Sequence, residues 1–171
     1  MLKSKHLIGL EHFPVSDLNK IIDTSFKFKD ILQTESRKAI LLKGKTIVNM
    51  FFENSTRTKI SFSLAEKRLG ADSINFSAST SSVKKGETLK DTVQNIESMK
   101  IDGAVIRHGH PGSALKLTEY IDGAVINAGD GSHEHPTQAI LDMVTLKEKF
   151  GKIKGLKVGI IGDILNSRVA R

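Results

Sequence analysis

Three side-chain hydroxyls and an arginine crowd into four consecutive residues, Ser55-Thr56-Arg57-Thr58. They follow an apolar run of β propensity, residues 46–52, and then Glu53 and Asn54. They precede a helical pattern in which Ile60, Leu64, Ala65 and Leu69 share one side and Gly70 marks a stop. A strand that hands small hydroxyl residues to a helix N-terminus builds an anion site. The first backbone N–H groups of the helix have no partner within it, and its dipole favours negative charge there. Arg57 adds a fixed cation whose planar fork suits phosphate oxygens. Plain N-capping by Ser55 or Thr56 accounts for one hydroxyl. It does not call for three around an arginine, so a phosphate or carboxylate site is the better reading.

A second group lies in His135-Pro136-Thr137-Gln138, just beyond the turn Gly129-Asp130-Gly131. Pro136 fits the first position of a helix. That puts His135 at the cap and Gln138 one turn on, on the same side. A neutral imidazole there can donate to a carbonyl oxygen, and a helix N-terminus favours the uncharged ring. The pairs His108-Gly109-His110 and His133-Glu134-His135 have an alternation that suits a metal. Both fall in glycine-rich loops without a third or fourth ligand at settled spacing, so no metal is assigned. The segment Gly159-Ile160-Ile161-Gly162 lacks the third glycine of a dinucleotide site. The basic loop Ser81-Ser82-Val83-Lys84-Lys85-Gly86 reads either as solvated surface or as a flap that brings Lys85 to an anion.

These residues need elements to hold them. Leu18, Ile21, Ile22 and Phe26 predict a helix that Ser16 can cap. Strands are expected at 46–52, 73–76, 103–106, 123–127 and 157–161. Helices are expected at 56–69, from Leu89 to Met99, near 113–120, and from Pro136 to Phe150 with Gly151 as the stop. Alternating strand and helix predicts an α/β fold: a doubly wound parallel sheet in three layers, helices on both faces. Ligands of such sheets bind beyond the carboxyl ends of the strands. The unusual loops all fall there: 53–58, 107–110, 129–135 and 163–168.

The whole chain sets bounds. It has 171 residues, 39% hydrophobic and 26% charged, an ordinary globular balance. It contains no cysteine, which removes disulfides, thiolate nucleophiles and Cys-bound metals and accords with a cytoplasmic protein. No run is long enough to span a membrane. The net charge of +7 raises nucleic-acid binding. The lysines are dispersed, however, and aromatics reach only 5%, so no stacking platform is present. A small anionic substrate fits the charge better. Residues 151–155, Gly-Lys-Ile-Lys-Gly, read as a connector. The expected organisation is a first domain at 1–150 and, at 151–171, the connector and first strand of a second α/β domain. The chain stops within what reads as a helix start, which suggests a piece of a longer protein.

Taken together, these stretches resemble the catalytic chain of aspartate carbamoyltransferase. The resemblance is carried by the run from Phe51 to Phe62, by Ser81 to Thr92, and by Arg107-His108. It continues through Asn127-Ala128-Gly129-Asp130-Gly131, His135 to Gln138, Gly162-Asp163 and Ser167-Arg168. The motifs run in order over nearly the whole chain. Ornithine carbamoyltransferase shares the Ser-x-Arg-Thr signature, but it usually has Cys where Thr137 stands and lacks the Gly-Asp-Gly turn.

The resemblance implies carbamoyl transfer from carbamoyl phosphate to the amine of L-aspartate in pyrimidine synthesis, without metal or organic cofactor. It implies that Ser55, Thr56, Arg57 and Thr58 hold the phosphate. Thr58, Arg107 and His135 would polarise the carbonyl, with Arg107 also bridging to the phosphate. Gln138 would accept from the carbamoyl NH₂, and Arg168 would bind an aspartate carboxylate. Glu53 would pair with arginines on domain closure. Ser81 and Lys85 would reach a neighbouring subunit's site within a homotrimer, and a regulatory subunit is left open. Two departures stand out: Ser63 replaces a usually acidic residue, and family chains are almost twice as long. Two alternatives follow, a non-catalytic short form that binds phosphate or a partner, and the ornithine enzyme.

Overall fold

The computed structural model describes residues 2–77 and 88–170. Four strands, β1 (Thr46–Phe51), β2 (Asp72–Ser77), β3 (Gly103–His108) and β4 (Ala124–Asp130), alternate with helices. The helices are α1 (Val15–Leu32), α2 (Thr56–Leu69), α3 (Leu89–Glu97), α4 (Ser113–Leu117) and α5 (Pro136–Phe150). The sheet is entirely parallel, in the order β2-β1-β3-β4.

Alternation along the strands builds the two sides. Val48 and Met50 of β1, Ala104 and Ile106 of β3 and Val125 of β4 face one way, onto Val93 and Ile96 of α3 and Ala114 and Leu117 of α4. Phe51, Val105 and Ala128 face the other way, with Phe62 of α2 packed against them. Helix α5 lies on β4, and α1 packs outside α5. This is the expected three-layer α/β arrangement. Helices α2 and α5 end at Gly70 and Gly151, both left-handed with φ of 84° and 72°. Glycine takes that conformation without a Cβ clash. The segment before α1 adds a single parallel bridge, Leu7 to Ile126, along the outer edge of β4.

Several expectations change. Helix α1 begins at Val15 after Pro14, and Ser16 does not cap it. Helix α4 stops at Leu117, short of Tyr120. The strand expected at 157–161 does not form. Its apolar residues stay outside the sheet, with Val158 59%, Ile160 55% and Ile161 99% exposed. β propensity describes a half-buried pleated surface, and here no neighbouring strand supplies one. A single 3₁₀ turn, Ile164–Asn166, follows. No helix among the described residues is long and apolar enough to cross a membrane.

Candidate active site

The strand order fixes where a ligand should sit. From β1 the chain moves one way to β2, and from β3 it moves the other way to β4. The crevice beyond the carboxyl ends of β1 and β3 is therefore the topological switch point. β1 ends there in Phe51 and leads through Glu53 into the start of α2, while β3 delivers Arg107. Phe52 N–H donates to the Arg107 carbonyl at 2.9 Å and holds the two strand ends together.

The N-terminus of α2 is open. Its cap residue Ser55 makes no side-chain cap hydrogen bond. Its hydroxyl donates instead to Thr58 Oγ1 at 2.8 Å. Simple capping therefore does not account for these hydroxyls, and the first N–H groups keep no side-chain acceptor. An open cavity of about 650 Å³ faces them, lined by Ser55, Arg57, Thr58, Arg107, His135, Thr137, Gln138 and Arg168 together with apolar Phe62 and Leu141. Thr56 is exposed at the first position of α2, outside that lining. Ser81 and Lys85 lie outside the described residues.

Arg107 is half-buried at the floor. Its Nη1 donates to the Ala128 carbonyl at 3.2 Å. Its Nε lies 3.3 Å from Glu53 Oε2 without hydrogen-bond alignment, so charge rather than direction joins them. Burial lowers the Arg107 pKa, and Arg168 lowers it further while Glu53 opposes both. Arg168 Nη1 donates to the Gly131 carbonyl at 2.9 Å and stands 3.7 Å from the same Glu53 oxygen. Glu53 thus pairs with both arginines within this chain. Gly129, at φ 117°, makes room for them: a Cβ there would stand 3.0 Å from Arg168 Nη1 and 3.2 Å from Arg107 Nη1.

His135 caps α5 with Pro136 at the first helical position. Burial, then Arg168 and Arg107, push its pKa down to about 4. The ring is neutral near pH 7, chiefly because it is desolvated and faces two cations. Its Nδ1 lies 3.3 Å from Thr137 Oγ1. Gln138 donates to Asp142 Oδ1 at 3.0 Å, which leaves its carbonyl oxygen as an acceptor. A cavity with a helix N-terminus, three arginines, one neutral imidazole and one amide can bind a phosphate and polarise a carbonyl beside it.

The sequence named Asp130 only as part of a turn. In the structure it is 2% exposed and ties the site's loops together. Its Oδ1 accepts from Glu134 N at 3.0 Å and from Asn127 Nδ2 at 3.1 Å, and its Oδ2 accepts from Gly112 N at 2.8 Å. His133 Nδ1 stands 3.4 Å from Oδ2. His108 Nδ1 accepts from the His110 N–H at 2.9 Å, a local turn contact. Among the described residues, no group of three or more His, Cys, Asp or Glu side chains is placed to hold a metal ion.

The family described as aspartate/ornithine carbamoyltransferase, carbamoyl-P binding domain, matches residues 5–148. The aspartate carbamoyltransferase catalytic subunit of Christiangramia forsetii is 54% identical over 169 residues, 99% of this chain and 54% of its own length. A crystal structure of Trypanosoma cruzi aspartate transcarbamoylase with carbamoyl aspartate and phosphate superposes with a TM-score of 0.91 at 34% identity, covering 98% of this chain and 54% of that one. The catalytic subunit of M. jannaschii aspartate transcarbamoylase gives 0.89 at 40% identity, covering 98% and 54%. The chain spans about half the length of the curated relatives it matches. With its parallel sheet, its switch-point crevice and a family match over residues 5–148, the chain belongs to the aspartate/ornithine carbamoyltransferase family.

Proposed function

We propose that this chain is the carbamoyl-phosphate-binding part of an aspartate carbamoyltransferase. The full protein would transfer the carbamoyl group of carbamoyl phosphate to the amine of L-aspartate. The observation that carries this reading is the uncapped N-terminus of α2 facing Arg57, Arg107, Arg168 and a neutral His135 across one cavity. The aspartate rather than the ornithine reaction is supported by curated relatives at 50–54% identity that are catalytic subunits of aspartate carbamoyltransferase.

Each residue then has a task. Ser55, Thr56, Arg57, Thr58 and the α2 N-terminus receive the phosphate. Thr58, Arg107 and His135 donate toward the carbonyl oxygen, which becomes an oxyanion as the amine attacks the trigonal carbon. Donors aimed in advance need no reorganisation, and loss of one typically costs about 10²–10³ in rate. Gln138 accepts from the carbamoyl NH₂. Arg168 takes an aspartate carboxylate. As the tetrahedral intermediate collapses, the carbon–oxygen bond to phosphate breaks and the leaving phosphate removes the amine proton. No side-chain nucleophile enters, because the two substrates react directly once positioned. Glu53, beside Arg107 and Arg168, would pair with arginines across the domain gap on closure.

Residues 1–150 are read as the carbamoyl-phosphate domain and 151–171 as the lead into an aspartate-binding domain. The reading also implies a homotrimer in which Ser81 and Lys85 complete a neighbour's site, with a regulatory subunit as a further partner. It implies no nucleic-acid or membrane partner. A cytoplasmic location goes with the activity, and the lack of cysteine accords with it.

Calorimetric titration of this chain with carbamoyl phosphate tests the proposal. Saturable binding is expected, and Arg57→Ala should weaken it about 10- to 100-fold, the loss of one charge-assisted contact of about 1.5–3 kcal/mol. Equal binding by the variant would refute the site.

A further inference from the structure

Behind the active-site helix lies a polar cluster that the reaction does not use. Glu66, on the third turn of α2, is 6% exposed and Asn49, in the middle of β1, is fully buried. Asn49 Nδ2 donates to Glu66 Oε2 at 2.8 Å. The Ser73 hydroxyl of β2 donates to the same oxygen. The two remaining oxygens, Glu66 Oε1 and Asn49 Oδ1, are both buried and both lack a hydrogen-bond partner.

Two stranded acceptors on two groups already joined by one hydrogen bond are a costly arrangement. Each unsatisfied buried polar atom costs about 1–3 kcal/mol, and more where it carries charge. Among the described residues the surroundings supply no countercharge. Asn49 faces Glu66 from β1 and Ser73 from β2. Ser63, one turn earlier on α2, lies 3.4 Å from Asn49 Nδ2 and donates onward to Asn75 at 2.9 Å. Among the described residues no cation pairs with Glu66. One proton resolves both orphans. Placed on Oε1, it turns that oxygen into a donor, and a carboxylic acid and a primary amide then meet through two hydrogen bonds.

We propose that Glu66 is a neutral carboxylic acid in the folded protein, that its O–H donates to Asn49 Oδ1, and that this acid–amide pair is the positioning element that seats α2 on β1. The pair matters because both elements end at the anion site, α2 beginning at Thr56 and β1 leading to Glu53. Burial raises the pKa of Glu66, while the bonds from Ser73 and Asn49 lower it, the burial being the larger effect. A raised carboxyl means that the folded state holds a proton the unfolded chain releases. The pair's contribution is therefore whole below the unfolded value of about 4.3 and is lost as pH rises through the folded value.

The test follows the side-chain carboxyl carbons of this chain by NMR while pH is raised. Glu66 is expected to remain protonated after the exposed glutamates have ionised. Ionisation alongside them would overturn the proposal. In denaturant unfolding, Glu66→Gln keeps a two-bond pair with Asn49 but carries no proton to lose. It should hold the wild-type midpoint near pH 4, where the pair is whole, and remove the fall that the wild type shows as pH rises from there through the folded value. A variant as destabilised as Glu66→Ala, with the pH slope unchanged, would refute the neutral acid. For the positioning role, Glu66→Ala should weaken inorganic-phosphate binding at least tenfold and Glu66→Gln should restore it. Tight phosphate binding by Glu66→Ala would leave no positioning role. The carboxyl titration contains no ligand, so its outcome is independent of whether the anion site binds carbamoyl phosphate.

Discussion

Asp130→Ala should unfold this chain more readily than any single change in the anion site itself. The Asp130 carboxylate is 2% exposed and accepts from Gly112 N, Glu134 N and Asn127 Nδ2 at 2.8–3.1 Å. Asn127 Nδ2 keeps a second acceptor, the Ile8 carbonyl at 2.8 Å. The two backbone N–H groups have no such replacement. Each stranded donor costs about 1–3 kcal/mol, and networked donors do not simply add. A loss of about 4 kcal/mol is expected, a large share of the 5–15 kcal/mol typical of a whole domain. With a urea slope of about 2 kcal/mol per molar, the unfolding midpoint should fall by about 2 M. Asp130→Asn should lose about half as much, because its amide group must turn an N–H toward either Gly112 N or Glu134 N. Urea titration followed by far-ultraviolet circular dichroism measures both. A loss under about 1 kcal/mol for Asp130→Ala would refute the account of the carboxylate as the tie between the two loops.

Three further outcomes can be checked. The His135 ring should titrate near pH 4 by NMR, well below the ordinary 6.5. The unfolded chain then binds the extra proton between these values, so stability is whole above about 6.5 and lost as pH falls toward 4. The full gap is worth about 3 kcal/mol, roughly halved to about 1.5 for a partly exposed ring. Titration of His135 near 6.5 would refute the desolvated ring facing two arginines. Gly131→Ala should cost more than about 2 kcal/mol in denaturant unfolding: φ is 58°, and a Cβ would stand 2.7 Å from the Gly109 carbonyl oxygen and 2.9 Å from Pro111 Cδ. An unchanged midpoint would show that these loops move apart freely. In the full-length protein, Lys85→Ala and His135→Ala should each abolish transfer, and mixing the two should restore part of it. No recovery after verified subunit exchange would refute the shared site.

The parts of this molecule that obey local rules could be read in advance. Gly70 and Gly151 stop their helices, Pro136 starts one, and the apolar runs of β1 and β3 mark strands buried on both faces. The hydroxyl–arginine run points to an anion site for a physical reason, and Ser55 at the head of α2 makes no side-chain cap hydrogen bond. Non-local consequences could not be read. The segment 157–161 has strand propensity, but pairing needs a neighbour that propensity does not supply. Asp130 sat in a recognised turn, yet its role lies in a bond to Gly112 on another loop. A polar residue on a sheet face that packs on a helix is the sort of signal that could have marked Asn49, and with it Glu66. The pairing of Glu53 with arginines was implied by the resemblance alone, because it depends on how the strand ends converge, which no spacing encodes.

The switch-point crevice has a consequence for how the molecule folds. Its walls are drawn from positions scattered between Ser55 and Arg168, brought together by the β1–β3 pair, which skips β2 in sequence, and by the β3–β4 pair. Parallel pairings of this kind close late, because the chain loses loop entropy before the contacts repay it. The anion site therefore cannot exist on a partly built sheet, and a bound anion has nothing to recognise until β1 and β3 lie side by side. Its stabilisation should appear almost wholly as slower unfolding, with the refolding rate unchanged. A bound anion should therefore act as a lock on the finished fold and take no part in assembling it.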